Sequence, residues 1–324
     1  MSMSYWAGVD LGGTNVVCGL LDDEGKLIAM EKAATEANKG FLHVMDIIEQ
    51  GVRKLLERKN LSLSDLSAVG LGVPGFVDPN TGVSALATNL GWRNQPVASE
   101  LCGRLNLPVF ADNDVRMYTY GEVAAGAGRG FGHVLGITIG TGAAAAYVNE
   151  GRFLYGSSFY AGEIGHIPIP GIRKRCKCGM IGCLETCVSA PGMVRQAQAL
   201  IKRGYASVLA EENIGALSAS DISTAYDKGD PVAHRVFQQT AKWLSMALAS
   251  TIPLLSPDIV IIGGGVAKSG ERLMAPLRVE LSKRLHPGYI EKVKFTTALW
   301  NEQAGIIGSA LYAKSRLGGS VHVG

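Results

Sequence analysis

Two stretches of the chain open with the same alternation of apolar runs and small turns. Residues 7–28, AGVDLGGTNVVCGLLDDEGKLI, read as strand, glycine turn, strand, polar turn, strand; residues 134–156, VLGITIGTGAAAAYVNEGRFLYG, read the same way. The polar turns at Asp22–Gly25 and Asn149–Gly151 have the Asn/Asp/Gly chemistry of hairpins. Each opening leads into α/β material. From Phe41 to Arg58 the apolar residues Leu42, Met45, Ile48, Val52, Leu55 and Leu56 form a helical stripe. LSAVGLGVPG then reads as a buried strand ending in a Gly/Pro turn, and LPVFADND as a strand with a polar carboxyl end. Val232 to Leu255 repeats at helical spacing with Pro257 beyond it, and PDIVIIGGGVA is a buried strand running through a glycine turn into a helix.

The pattern predicts an α/β protein of two similar domains with a cleft between them. The boundary is expected inside the helix after ADND. It gives a small domain over 1–118, completed by a C-terminal helix over about 305–324, and a larger domain over 119–304. The length of 324 residues suits two domains, and 47% hydrophobic with 18% charged residues describes a folded chain. Net charge is only +3 and no basic run occurs, so nothing favours nucleic acid or an anionic membrane as partner. The start, MSMSYWAGVDLGG, lacks a basic segment followed by an apolar core, and no apolar run nears the roughly 20 residues of a spanning helix. A cytoplasmic, reducing location is the expected default.

Three glycine-rich turns follow apolar strands: Asp10-Leu-Gly12-Gly13-Thr14, Gly140-Thr141-Gly142 and Gly263-Gly264-Gly265. Such turns either serve a tight bend or present successive backbone N–H groups to a phosphate. Asp10 has the hard oxygen that magnesium takes, and Thr14 and Thr141 have hydroxyl donors. No Walker A loop or Rossmann fingerprint is present, so a nucleotide would bind by another architecture. Asp112, Asn113 and Asp114 stand at the carboxyl end of a strand and before a helix. They suit a ligand site and a helix cap equally.

Residues 163–187, EIGHIPIPGIRKRCKCGMIGCLETC, gather four of the chain's six cysteines with one histidine. In a reducing compartment a cluster of this kind reads as a metal site before a disulfide. His166, Cys176, Cys178 and Cys183 make a complete tetrahedral Cys3His zinc set, with Gly179 and Gly182 to turn the backbone and Cys187 as a rival ligand. Four protein ligands leave no open position, which makes the zinc structural. Cys18 and Cys102 read as ordinary core residues.

In order along the chain, AGVDLGGTNVVCGLLDDEGKLI, GVPGFVDPNTG, ADNDV, ITIGTGAAAAYVNEG, GEIGH, CKCGMIGCLETCVSA and IVIIGGGVA resemble the ROK family (repressor, open reading frame, kinase) from Trp6 to about Tyr312. The resemblance implies the two-domain actin-like ATPase fold, related to ribonuclease H, with the active site between the domains. It also implies magnesium-dependent transfer of the γ-phosphoryl of ATP to a hexose hydroxyl, usually O6. It makes Asp114 the catalytic base and Asn113, Glu163, His166 and Glu185 sugar contacts. Gly75 and Asn89 lie near the sugar. Asp10, Gly12, Gly13 and Thr14 form one phosphate loop, Gly140 to Gly142 a second, and Gly264 and Gly265 lie beside the nucleotide. Family members with this cysteine motif bind structural zinc and assemble as homodimers or homotetramers.

Two stretches depart from the family pattern. Ala143 to Ala146 replace further glycines, and Val115-Arg116-Met117-Tyr118-Thr119-Tyr120 replace a small, alanine-rich helix start. The family's transcriptional regulators carry an N-terminal winged helix-turn-helix, and the first strand here starts near Trp6. VPGFVDPNTG with TNLGW is similar to the glucose-phosphorylating members. The alternatives are allose, mannose, fructose, N-acetylmannosamine and N-acetylglucosamine.

Overall fold

A computed structural model describes residues 4–210 and 214–318. The N-terminal meander is β1 (Tyr5–Leu11), β2 (Asn15–Leu21) and β3 (Leu27–Ala34), followed by α1 (Phe41–Arg58) and β4 (Leu66–Val73). A small three-stranded sheet, β5 (Phe76–Asp78), β6 (Val83–Ala87) and β7 (Trp92–Gln95), comes next. Then α2 (Val97–Leu105) leads to β8 (Val109–Asn113) and α3 (Asp114–Ala125). The second meander is β9 (His133–Ile139), β10 (Ala143–Asn149) and β11 (Arg152–Phe153). The zinc-motif loop leads into α4 (Glu185–Val188), α5 (Ala190–Lys202), α6 (Ala219–Asp227) and α7 (Pro231–Leu255). The chain finishes with β12 (Ile259–Gly263), α8 (Glu271–Ser282), α9 (Pro287–Lys292), β13 (Lys294–Thr297) and α10 (Ala304–Leu317). No described helix is long and apolar enough to cross a membrane.

The chain forms two units. One is Met1–Gly132 with Ala146–Ala161 and Leu299–Gly324; the other is His133–Ala145 with Gly162–Ala298. This division differs from the expected cut after residue 118. That cut would split α3, whose Met117 and Tyr120 pack with Tyr312 of α10 in one apolar cluster. The helix α10 lies in the first unit, and residues 319–324 lie outside the described residues.

In the first unit the sheet order is β3-β2-β1-β4-β8, with β1, β4 and β8 parallel. Side chains alternate between its faces. Val9, Leu11, Val69 and Leu71 face Val44, Met45, Ile48 and Val52 of α1 in one buried core. Leu42, expected on that stripe, is 58% exposed. It lies four, seven and eleven residues before Asp46, Glu49 and Arg53, on the polar face of the helix. The opposite sheet face carries Gly8 and Gly70, whose absent side chains let α10 close onto the strands. A Cβ at Gly8 would lie 1.9 Å from Ile306 O, and one at Gly70 1.8 Å from Ser309 O. The same alternation places Asp10, Gly72 and Asp112 in one row across β1, β4 and β8.

In the second unit β9, β12 and β13 are parallel neighbours. The long helix α7 starts at an Asp230 cap that accepts from Ala233 N at 2.8 Å, with Pro231 at its first position. Gly263 at the end of β12 pairs with Thr138 near the end of β9, so the glycine turns that follow these strands are neighbours.

Candidate active site and metal centre

The first glycine turn closes with Gly12 N donating to Asn15 O at 2.9 Å and leaves Gly13 and Thr14 exposed. Thr35, fully buried, braces it from behind. Its backbone N–H donates to Thr14 O at 2.9 Å and its hydroxyl to Gly12 O at 2.7 Å. Sequence reasoning missed Thr35, because both its partners are backbone carbonyls. Asn89 stands against this turn, where a Cβ on Gly13 would lie 3.3 Å from the Asn89 Cβ. Asp10 precedes the turn. A Cβ on Gly305 of α10 would come within 2.7 Å of its Oδ2, so the helix backbone crowds the carboxyl. Burial pushes the Asp10 pKa up to about 6.

The junction of β8 and α3 carries Asn113 and Asp114. Asn113 caps the helix, its Oδ1 accepting from Val115 N at 3.0 Å and Arg116 N at 3.1 Å. Its amide nitrogen donates to Gly75 O at 2.9 Å and to Asp114 Oδ1 at 3.0 Å. The same Asp114 oxygen accepts from Val115 N at 2.9 Å, and the carboxylate is half-buried. Asn113 is thus the cap, and its amide holds the neighbouring Asp114 carboxylate. Gly75 adopts φ +86°, the left-handed region that turns its carbonyl toward Asn113.

Asp112 and Arg116 form a buried ion pair at 2.8 Å behind this junction. Burial drives the Asp112 carboxyl up, against the pull of the Arg116 guanidinium. Tyr118 is half-buried and donates to Asn301 Oδ1 at 3.1 Å.

In the second unit Gly140 N donates to Gly142 O at 2.9 Å, and Ala190 N at the start of α5 donates to Gly140 O at 2.8 Å. Thr141 is exposed at the tip. Gly264 has φ +82°, and a Cβ there would lie 2.6 Å from Ile139 O, so the third turn abuts the base of the second. Gly265 has open space around it. Within Ala143 to Ala146, the first two residues are half-buried and the last two are buried in β10.

The cysteine loop is a compact knuckle. Cys176 N donates to Met180 O at 2.8 Å, Gly179 N to Cys176 O at 3.0 Å, and Ile169 N to Gly182 O at 2.8 Å. Gly179 and Gly182 take φ +96° and +87°. This brings the ligand atoms of His166, Cys176, Cys178 and Cys183 within 4.8 Å of one another. The Cys178 and Cys183 sulfurs are 3.6 Å apart, far beyond a disulfide bond of about 2.05 Å. The edge of a tetrahedron with Zn–S bonds of about 2.3 Å is about 3.8 Å, so the spacing fits zinc. His166 Nδ1 faces Cys176 Sγ at 3.9 Å, and its Nε2 lies 3.7 Å from Glu163 Oε2. The loop also carries the exposed Arg173, Lys174, Arg175 and Lys177; burial pushes the Cys176 and Cys183 thiols up, while a hydrogen bond from the Met180 backbone pulls the Cys178 thiol down. Cys187 is outside the cluster. It is buried, donates to Leu184 O at 3.1 Å, and has its thiol pushed up to about 12 by burial. Glu185 starts α4, where its Oε1 accepts from Cys176 Sγ at 2.8 Å. A Cβ on Gly142 would lie 2.9 Å from its Oε2, which sets Glu185 beside the second glycine turn. Cys18 is buried in the first core, whereas Cys102, expected there, is exposed on the outer side of α2.

The sequence model of the ROK family matches residues 6–316. A glucokinase of Halalkalibacterium halodurans is 35% identical over 319 residues, which is 98% of this chain and 97% of that protein. The crystal structure of a ROK family glucokinase from Streptomyces griseus in complex with glucose and AMPPNP aligns over 97% of this chain and 99% of that one, with TM-score 0.83 and 30% identity. A ROK family transcriptional regulator, a homolog of the E. coli MLC protein, aligns with TM-score 0.87 and 26% identity over 98% of this chain and 79% of its own. The fold is the two-domain actin-like ATPase fold of these sugar kinases, and the chain belongs to the ROK family.

Proposed function

We propose that this chain is an ATP-dependent glucokinase that transfers the γ-phosphoryl group of ATP to O6 of glucose. The observation that carries the reading is the β8–α3 junction, where one Asn113 amide bridges Gly75 O and the half-buried Asp114 carboxylate. The likeness to the glucokinases of H. halodurans and S. griseus supports glucose among the hexoses.

A sugar hydroxyl is a weak nucleophile. Asp114 accepts the O6 proton as O6 bonds to the γ-phosphorus, and the bond from that phosphorus to the bridging oxygen breaks to release ADP. Val115 N and the Asn113 amide both bond Asp114 Oδ1, which fixes the orientation of the carboxylate that takes the proton. Asn113, Glu163, His166 and Glu185 orient the sugar hydroxyls, with Gly75 and Asn89 beside them. The turns at Gly12–Thr14 and Gly140–Gly142 supply N–H and hydroxyl donors to the phosphates, with Gly264 and Gly265 beside the nucleotide. Magnesium held by Asp10, directly or through water, would neutralise phosphate charge. His166, Cys176, Cys178 and Cys183 would hold a structural zinc that fixes the sugar-facing residues of the loop. With Nδ1 as its ligand atom, His166 would keep Nε2–H as a donor toward a sugar oxygen.

A panel of hexoses and N-acetylhexosamines compared by kcat/KM, with Asp114→Asn as control, tests the reading. Glucose should be preferred and the control inactive. A chain that binds sugar but phosphorylates none of the panel would overturn it.

A further inference from the structure

The guanidinium of Arg116, buried near the start of α3, has three partners. Nη1 donates to Asp112 Oδ1 at 2.8 Å, Nη2 donates to Phe159 O at 2.5 Å, and the group lies 4.8 Å over the Tyr155 ring. Tyr155 in turn donates its hydroxyl to Asp112 Oδ2 at 2.8 Å. The segment 155–159 is therefore fastened at both ends to the residues that flank Asn113. Phe159 sits at φ +61°, unfavourable for an aromatic residue, and its carbonyl is one that Arg116 holds. Beside it the Tyr160 ring packs edge-on against Phe76 at 4.3 Å, next in sequence to Gly75. Asp112 Oδ1 also accepts Asn113 N at 2.6 Å, so one carboxylate serves both the segment and the junction.

We propose that Arg116 is a positioning residue for the sugar. It ties residues 155–161 to the helix turn carrying Asn113 and Asp114, and so fixes a wall beside the Gly75–Asn113 contact. The inference rests on the kinase reading above, since it takes Asn113 and Asp114 as the sugar-facing pair. A role confined to neutralising buried Asp112 would need only the charge, and lysine supplies that. Lysine cannot bond Asp112 and the Phe159 carbonyl in the forked geometry of a guanidinium.

The test is Arg116→Lys in the full chain. We expect a melting temperature within a few degrees of the parent, and a hexose KM raised about tenfold or more. ATP KM should stay within about twofold, because the guanidinium's partners Asp112, Tyr155 and Phe159 are not residues of the glycine turns. Amide hydrogen exchange over 155–161 should quicken while α1 and β1 keep their protection. If Arg116→Lys does not fold, the neutral pair Asp112→Asn with Arg116→Met removes both charges and the Phe159 bond, and the same readouts apply. Unchanged hexose KM and unchanged exchange, beside an inactive Asp114→Asn, overturn this inference alone. No phosphorylation of any hexose by the parent overturns the kinase reading beneath it, and full turnover by Asp114→Asn overturns Asp114 as its base.

Discussion

His166 presents its two ring nitrogens to different chemistries. Nδ1 lies 3.9 Å from Cys176 Sγ and Nε2 lies 3.7 Å from Glu163 Oε2. As a metal ligand through the first nitrogen, the ring would be fixed in plane and would keep the second as a donor. The same loop carries Glu185, two residues beyond Cys183, so the metal site and the proposed sugar contacts share one backbone.

Removal of the metal should therefore act on sugar binding before it acts on nucleotide binding. As purified without chelator, the chain should contain about one zinc. Chelation or Cys178→Ser should raise hexose KM about tenfold or more, with a smaller change in ATP KM. Metal analysis with steady-state kinetics on the same samples checks both. Three freely titrating thiols at 176, 178 and 183 in fully active protein would count against the site.

Asp114→Asn keeps an oxygen that can accept from Val115 N, whose bond to the carboxylate is 2.9 Å, so the helix start should survive. The amide cannot take the sugar proton. The expected outcome is a fall in kcat of about 10²-fold to 10⁴-fold, with hexose KM and melting temperature little changed. Parallel loss of stability and turnover would instead make Asp114 part of the cap.

Asp10 sets a pH dependence whose sign follows from its surroundings. Its pKa is raised from 3.8 to about 6 by burial, so the folded chain favours the protonated carboxyl. Its contribution to stability is whole below about pH 4 and is lost as pH rises through about 6. Ionisation at neutral pH then costs up to about 3 kcal/mol, unless a cation offsets it. Asp10→Asn should raise the melting temperature of the metal-free chain at pH 7.5 by a few degrees and lower kcat/KM sharply. Magnesium with nucleotide should stabilise the parent more at pH 7.5 than at pH 5, and this difference should vanish in the variant. Calorimetric scans at the two pH values read it directly.

The parts of the site legible in the sequence were those built from contiguous residues. Gly12 and Gly13 follow a strand, Asn113 and Asp114 follow another, and the four zinc-motif residues span eighteen positions. For the first two pairs local patterning sufficed, because backbone direction alone brings them to the ends of the parallel strands β1 and β8. Thr35 and Gly305 were not legible. Thr35 bonds two carbonyls, which no residue type advertises, and Gly305 matters only through the close passage of α10 over Asp10. The Asp112–Arg116 pair did carry a signal, a carboxylate and a guanidinium four apart at a helix start. Its third partner, Phe159 O, lies 43 residues away and could not be read. Leu42 misled because an apolar residue at a helix start fits the composition of the stripe without its angle.

Thr35→Val isolates the brace behind the first glycine turn. Valine matches threonine in shape, so the buried packing is kept and only the hydroxyl is lost. Gly12 O, which that hydroxyl meets at 2.7 Å, then faces a methyl group. An unsatisfied carbonyl of this kind costs about 1–3 kcal/mol. The turn can recover part of that by rotating the Gly12 peptide toward solvent, which would displace the exposed Gly13 and Thr14 that follow it. The expected result is a melting temperature lower by several degrees and an ATP KM raised about threefold to tenfold, with hexose KM nearly unchanged. Rescue of ATP KM by Thr35→Ser, which restores the hydroxyl, separates the hydrogen bond from the packing. Equal effects on the two substrates would place Thr35 in the general core and not behind a phosphate loop.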